Sequence, residues 1–265
     1  MLKDITIGQY FPGDSVVHRL DPRIKIVLTF VLIISLFTAS NFKGYGICAL
    51  FVLVQLALSR VPIKYIFKGL RPLLIILFLT IFVNMFMVEG VVVYSLGPFD
   101  VTREGMVQAG RMATRLVFLV MGASLLTLTT SPIALTDGIE KLLNPFRRLG
   151  LPAHELAMMM TIALRFIPTL LDETDKIMKA QMARGADFES GNLLRRAKNL
   201  VPLLVPLFIS AFRRADELAL AMESRCYRGG RGRTRLKVLH MVGMDYFALA
   251  LGGLVLVTTI VSRGW

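Results

Sequence analysis

The chain has 265 residues, 55% of them hydrophobic, with a mean hydropathy of +0.64 and a formal net charge of +13 at pH 7. Soluble domains average about 45–50% apolar residues, so the composition argues against a soluble globule and for a protein that resides in a bilayer. The excess of base suggests nucleic acid, but lysine and arginine also accumulate on the cytoplasmic flanks of membrane helices, and the charge has to be read segment by segment.

Residues 1–23 are polar and hold no early apolar core of a cleavable leader; the first spanning helix is expected to act as the targeting signal. Apolar runs then predict five membrane spans, at about Ile24 to Ser40, Gly44 to Ser59, Pro72 to Val88, Val107 to Thr130 and Tyr246 to Val261. Pro72 suits the first turn of its helix. The expected fold is an all-α integral membrane protein. Residues 1–130 form a membrane part with four spans, residues 131–240 a cytoplasmic block of long amphipathic coupling helices, and residues 241–265 carry the final span. The segment from Glu89 to Gly105, with Gly97, Pro98 and Asp100, reads as an external turn region.

Basic residues set the expected orientation. Residues 1–25, 60–71 and 131–240 hold 26 of the 31 lysines and arginines. The short loops carry the inference: Arg60, Lys64, Lys68 and Arg71 stand against the lone Lys43. The N-terminus and residues 131–240 are therefore expected in the cytoplasm of a multi-pass plasma-membrane protein.

Within the cytoplasmic block, Ser131-Pro132 begins a helix with Ser131 as N-cap. Asn144-Pro145 and Gly150-Leu151-Pro152 interrupt it. Two long helices follow, with Pro168 in one and Pro202 and Pro206 in the other, where kinks are expected. On the first, Ile167, Leu171, Met178 and Met182 form an apolar side against Asp172, Glu173, Lys176 and Lys179. On the second, Leu207, Phe208, Ala211, Phe212, Ala215, Leu218, Ala219 and Met222 form one stripe. Arg213 and Glu217, four apart, can pair for about 0.2–0.5 kcal/mol.

Each long helix ends on an arginine between small residues: Ala183-Arg184-Gly185 and Ser224-Arg225-Cys226. One offset of forty-one residues superimposes them, with Asp175 and Asp216 nine residues ahead and Ala180 and Ala221 four ahead. An arginine near a helix C-terminus favours the macrodipole by about 0.3–1 kcal/mol, which explains either one singly but not the shared small neighbours. Small flanks leave a guanidinium free to enter a groove and meet a carboxylate bidentately. Two similar plugs imply two similar sockets on soluble partners.

Other chemistries lack their residues. Cys48 and Cys226 form no CxxC, so neither a disulfide framework nor a zinc site is expected. His18, His154 and His240 are scattered and read as structural. There is no GxxxxGK[S/T] loop, no HExxH and no GxSxG. No metal, cofactor or catalytic residue is expected on this chain. The polar residues of the spans are Gln55, Asn84, Arg111 and Arg115, the two arginines one turn apart near an external end where snorkelling is easy. The run from Arg225 to Arg235 has one aromatic, Tyr227, and no stacking platform for RNA; just before a span, it reads as an anchor on anionic lipid, and no nucleic-acid partner is expected.

The chain resembles the transmembrane T component of energy-coupling factor (ECF) transporters, importers of vitamins and transition-metal ions related to ABC transporters. Residues 12–25, PGDSVVHRLDPRIK, look like the family's opening signature. Thr130-Ser-Pro132, Arg165-Phe-Ile-Pro168, residues 180–185 and residues 223–229 match later ones, in order. The resemblance implies a coupling subunit joining two ABC-type ATPase subunits, which hold the ATP, to a substrate-binding S component. By that resemblance Arg184 and Arg225 insert into ATPase grooves, with Ala183, Gly185, Ser224 and Cys226 shaping the tips. The choice of substrate would then belong to the S component. Two other classes fit less well. A self-sufficient secondary transporter needs midplane polar groups, which are scarce, and a lipid-modifying membrane enzyme needs clustered acids or a nucleophile at the interface.

Overall fold

A computed structural model describes residues 10–96, 99–188, 192, 198–230 and 239–263. The described chain is mostly helical, with one hairpin. The helices are α1 (Val16–Arg19), α2 (Pro22–Thr38), α3 (Phe42–Ser59), α4 (Ile63–Leu70), α5 (Leu74–Met87), α6 (Arg103–Thr129), α7 (Pro132–Leu143), α8 (Ala153–Ala183), α9 (Val201–Ser224) and α10 (Gly243–Arg263). Strands β1 (Val92–Leu96) and β2 (Phe99–Thr102) pair antiparallel between α5 and α6, within the segment expected as a turn region; Gly97 and Pro98 lie outside the described residues. The chain divides into two compact units, residues 8–138 with 238–265, and residues 1–7 with 139–237.

Five helical stretches are long and apolar enough to cross a membrane: α3, the run Ile63–Met87, α6, α8 and α10. They are not the same five that the sequence delimits. Helix α2 has 17 residues, about 26 Å at 1.5 Å per residue, at the lower limit of about 17 residues for a spanning helix. Helix α8 joins the set because its first half, up to Thr169, carries only Glu155 and Arg165 as charges, whereas the sequence reading counts residues 131–240 as cytoplasmic. Residues 63–70, expected as loop, are helical, and a 3-10 turn over Arg71–Leu73 leads through Pro72 into α5.

In the first unit the core gathers on α2. Ile24, Leu28, Leu32 and Leu36 recur every fourth residue and are all buried, together with Tyr45, Cys48, Phe51 and Val52 of α3 and Val255 of α10. Close approach depends on two glycines. A methyl group at Gly122 of α6 would collide with Leu32, and one at Gly252 of α10 would collide with Leu28. Small residues play this part in membrane proteins, where helices associate by close packing.

The signature around Asp21 ties the helix ends of this unit together. Asp21 caps α2, accepting from the Arg23 amide at 2.9 Å and pairing with its guanidinium at 2.7 Å. The Asp21 amide in turn donates to Asp245 Oδ1 at 2.9 Å, and Asp245 Oδ2 accepts from the Val242 amide at 2.8 Å. Lys25 Nζ donates to the carbonyls of His18 and Thr129 at 3.1 and 2.9 Å. The loop before α2, the end of α6 and the start of α10 are thereby fastened at one point. His18 belongs to the same corner, its ring bonding Ser15 Oγ and the Phe11 carbonyl. Burial pushes the Asp21 carboxyl up, but the hydrogen bonds and charge of Arg23, with the charge of Lys25, outweigh it and hold the group below its ordinary value.

Two outcomes follow for purified protein. Asp245→Ala leaves the amides of Asp21 and Val242 without acceptors, at about 1–3 kcal/mol for each orphaned N–H, and lowers the unfolding temperature more than Asp245→Asn. A depressed carboxyl stabilises the fold above its unfolded-state value and ceases to do so as pH falls through its folded-state value. The difference in unfolding temperature between wild type and Asp21→Asn is therefore constant from pH 8 to pH 5 and closes below about pH 4.

Candidate functional site

The second unit is built on α8 and α9. Helix α7 starts as expected, with Ser131 Oγ accepting from the Ala134 amide, and the predicted break appears as a 3-10 turn over Asn144–Leu149 closed by left-handed Gly150. Pro168 and Pro206 lie inside continuous helices rather than dividing them, and Pro202 occupies the first turn of α9, where a missing N–H costs nothing.

The two helices meet through a polar contact. Glu173 of α8 accepts from Ser210 Oγ at 2.7 Å with one carboxylate oxygen and from the Arg214 guanidinium with the other. The ion pair on this face is thus Arg214 with Glu173, rather than Arg213 with Glu217. Glu173 turns into the seam, while Ile167 and Met182, expected on the apolar side, are exposed. On α9, Leu203, Leu207, Ser210, Arg214 and Leu218 make the half-buried or buried side. Phe208, Phe212, Ala215 and Ala219, expected in the same stripe, face outward. With Leu204, Val205 and Ile209, the two phenylalanines leave a broad exposed apolar face on the first half of α9.

The forty-one-residue offset carries Glu173 onto Arg214. The contact therefore joins equivalent positions of the two helices, each eleven residues before its terminal arginine. At 1.5 Å per residue each tip stands about 16 Å beyond that contact along its own helix. The same offset, applied to charge rather than to Asp175 and Asp216, points to this pair in the sequence.

The tips share one backbone geometry. A helix ends with unpaired carbonyls, and a Schellman closure satisfies two of them when the residue after the cap turns left-handed. On α8, the Gly185 amide bonds Met182 O at 3.0 Å and the Ala186 amide bonds Gln181 O at 3.0 Å, with Gly185 at φ +88°. On α9, the Cys226 amide bonds Glu223 O at 2.8 Å and the Tyr227 amide bonds Met222 O at 3.0 Å, with Cys226 at φ +55°. Arg184 and Arg225 are the cap residues themselves. Ala183 and Ser224 are the last helical residues, and Ser224 Oγ donates back to Ala221 O. All six residues are exposed, and neither terminal guanidinium enters an ion pair among the described residues. Small flanks at Gly185 and Cys226 thus have a local cause: the position after the cap must adopt positive φ.

Each tip is tethered behind. Asn199 Nδ2 donates to Asp187 O at 2.6 Å, tying the chain after Gly185 to the approach to α9. Tyr227 hydrogen-bonds His154 Nε2 at 3.3 Å, and His154 Nδ1 meets Glu140 at 3.0 Å. His154 therefore does the structural work the sequence reading assigns to it. Arg231, Arg233 and Arg235 of the basic run lie outside the described residues. No group of three or more metal-ligating side chains occurs among the described residues. What this arrangement offers chemically is two permanent cations on exposed helix ends closed by backbone hydrogen bonds, each able to hold a carboxylate bidentately.

The left-handed positions give a prediction. A side chain at positive φ costs about 1–2 kcal/mol relative to glycine. Gly185→Ala destabilises the end of α8, Cys226→Gly stabilises the end of α9, and hydrogen exchange of the Gly185, Ala186 and Tyr227 amides reads the two effects with opposite signs.

Residues 13–236 match the family described as cobalt transport protein. A protein of Thermosediminibacter oceani named energy-coupling factor transporter transmembrane protein is 62% identical over 262 residues, covering 99% of both chains. Proteins of the same name from Clostridium kluyveri and Bacillus subtilis are 60% identical over 268 residues and 51% over 246 residues. The first alignment covers 100% of this chain and 99% of the relative, the second 92% and 93%.

Proposed function

The chain belongs to the cobalt transport protein family, the transmembrane components of energy-coupling factor transporters, and from that premise we propose that it couples two ABC-type ATPase subunits to a substrate-binding S component. The observation that carries the reading is the equivalence of the two tips. Arg184 and Arg225 sit on the same closure, at the same distance from one interhelical contact, with their guanidinium groups exposed. Two related sockets would each receive one arginine, flanked by Ala183 and Gly185 or by Ser224 and Cys226. Cys226 in place of a second glycine is compatible with two non-identical ATPases.

ATP would bind to the partners, since this sequence has no phosphate-binding loop. As the ATPases close, their grooves carry the tips with them, and α8 and α9 shift about the contact of Glu173 with Ser210 and Arg214. The exposed apolar face of Leu204, Val205, Phe208, Ile209 and Phe212 is where the S component rests and receives that shift, which reorients it in the bilayer for uptake of a vitamin or metal ion. Hydrolysis and product release reset the assembly. The N-terminus and both arginine tips face the cytoplasm in this reading.

Co-expression of the tagged chain with its ATPase pair tests the docking. Wild type retains both ATPases, either single variant retains less, and Arg184→Ala with Arg225→Ala retains none. Normal assembly and transport by the double variant contradicts the reading. The contact between α8 and α9 has its own test. Glu173→Arg or Arg214→Glu alone reduces transport with assembly intact, and the combined charge swap restores it. Equal activity in all three variants assigns that contact no part in coupling.

A further inference from the structure

Arg111 and Arg115 stand one turn apart in α6, within the predicted span. A charged side chain at membrane depth is costly unless it is paired, and the two differ in how that is met. Arg115 is fully engaged. Its Nε donates to Leu36 O at 3.2 Å, one Nη donates to the Tyr45 hydroxyl at 3.0 Å, and its guanidinium lies 5.1 Å from the centre of the Phe37 ring. Arg111 has no such set. Its Nε is buried without a hydrogen-bond partner, and no carboxylate pairs with it among the described residues. Arginine stays charged under physiological conditions. Near the external end of its span, half-buried Arg111 therefore stands at about headgroup depth with no carboxylate from the described chain to meet it.

Beside Arg111, α3 and α6 border a groove of about 490 Å³ whose other walls are mostly apolar, among them Phe42, Ala49, Val107 and Phe118, with the hydroxyls of Tyr45 and Thr114 bonded to Arg115 and the Gly110 carbonyl. Gly46 and Gly110 open it further. No atom lies within 4 Å of where a Cβ would stand at either, so packing inside the chain does not account for these glycines. The α6 lining runs from Met106 to Phe118, about 18 Å along the axis at 1.5 Å per residue. A soluble anion would satisfy Arg111 but leave the apolar walls bare. A partner helix would cover the apolar walls, but it would have to bring a carboxylate of its own to Arg111 at membrane depth, where acids are rare. An amphiphile with one anionic head and a flexible chain meets both demands.

We propose that the groove between α3 and α6 holds an acyl chain of an anionic phospholipid whose phosphate is bound by Arg111. The lipid supplies the acceptor missing at the Arg111 guanidinium and fills the space left open at Gly46 and Gly110.

The full-length chain, delipidated in detergent and titrated with phosphatidylglycerol or phosphatidylcholine, tests this by native mass spectrometry. Wild type retains phosphatidylglycerol about tenfold more tightly than phosphatidylcholine, whose choline cation offsets the phosphate charge that Arg111 meets. Arg111→Gln removes the preference and Arg111→Lys keeps part of it. Gly110→Leu, which fills the groove, loses the tightly held lipid while circular dichroism shows the helices intact. Arg103→Gln, on the same helix but outside the groove, changes nothing. The proposal is overturned if Arg111→Gln keeps the full preference, if excess inorganic phosphate abolishes it, or if a cross-linker at Gly46→Cys captures a partner protein's helix in place of lipid.

Discussion

The last carbonyls of an α-helix need donors, from water or from the chain itself, and the way they are satisfied determines what stands at the tip. In α8 and α9 the solution is the same six-residue closure, which puts one arginine at the cap and demands a left-handed residue after it. Because the closure is made of backbone hydrogen bonds, the direction in which each arginine leaves its helix does not depend on contacts made by its own side chain. The guanidinium is left exposed for something else. That constraint, repeated at an offset of forty-one residues, turns two ordinary helix ends into a matched pair of projections.

The contact behind them follows from the same repetition. Equivalent positions of the two helices carry opposite charge, Glu173 and Arg214, so they attract across the seam where like residues would not. Ser210 takes the other carboxylate oxygen, which leaves Glu173 with a fixed orientation. A contact at equivalent positions gives both tips equal reach. Behind the Arg225 tip, Tyr227, His154 and Glu140 add a tether that joins the cassette to the starts and ends of neighbouring helices. In the other unit the corresponding role falls to Asp21, Lys25 and Asp245, which gather three chain ends, while Gly122 and Gly252 let α6 and α10 close on α2.

Much of this is legible in the sequence. The apolar runs, the Ser131 cap, the break at residues 144–152 and the spacing of the two cassettes are local or periodic signals. What escaped was of two kinds. Some features depend on tertiary contact between distant residues. Asp245 meets the Asp21 amide across 224 positions, and nothing near either announces the other. Other features had a signal that was applied too narrowly. The offset that pairs Arg184 with Arg225 also pairs Glu173 with Arg214, and it aligns Cys226 with Gly185, which is the one hint that a cysteine adopts positive φ. The apolar stripe drawn on α9 was too wide for a single seam. Phe208 and Phe212 lie next to positions that α8 covers, yet remain exposed. The sequence reading places α8 with the cytoplasmic block, although its charges cluster in the second half.

The native cysteines offer the most direct measurement. Cys226 is exposed and adjacent to Arg225, whereas Cys48 is buried, so a thiol-reactive photo-cross-linker attached to this chain before its assembly with the partner subunits reports from the second tip alone. The coupling account predicts that it captures an ATPase subunit, with the yield falling when Arg225 is replaced by alanine. Cross-links confined to lipid or to this chain, in an assembly that still contains its ATPases, would contradict it.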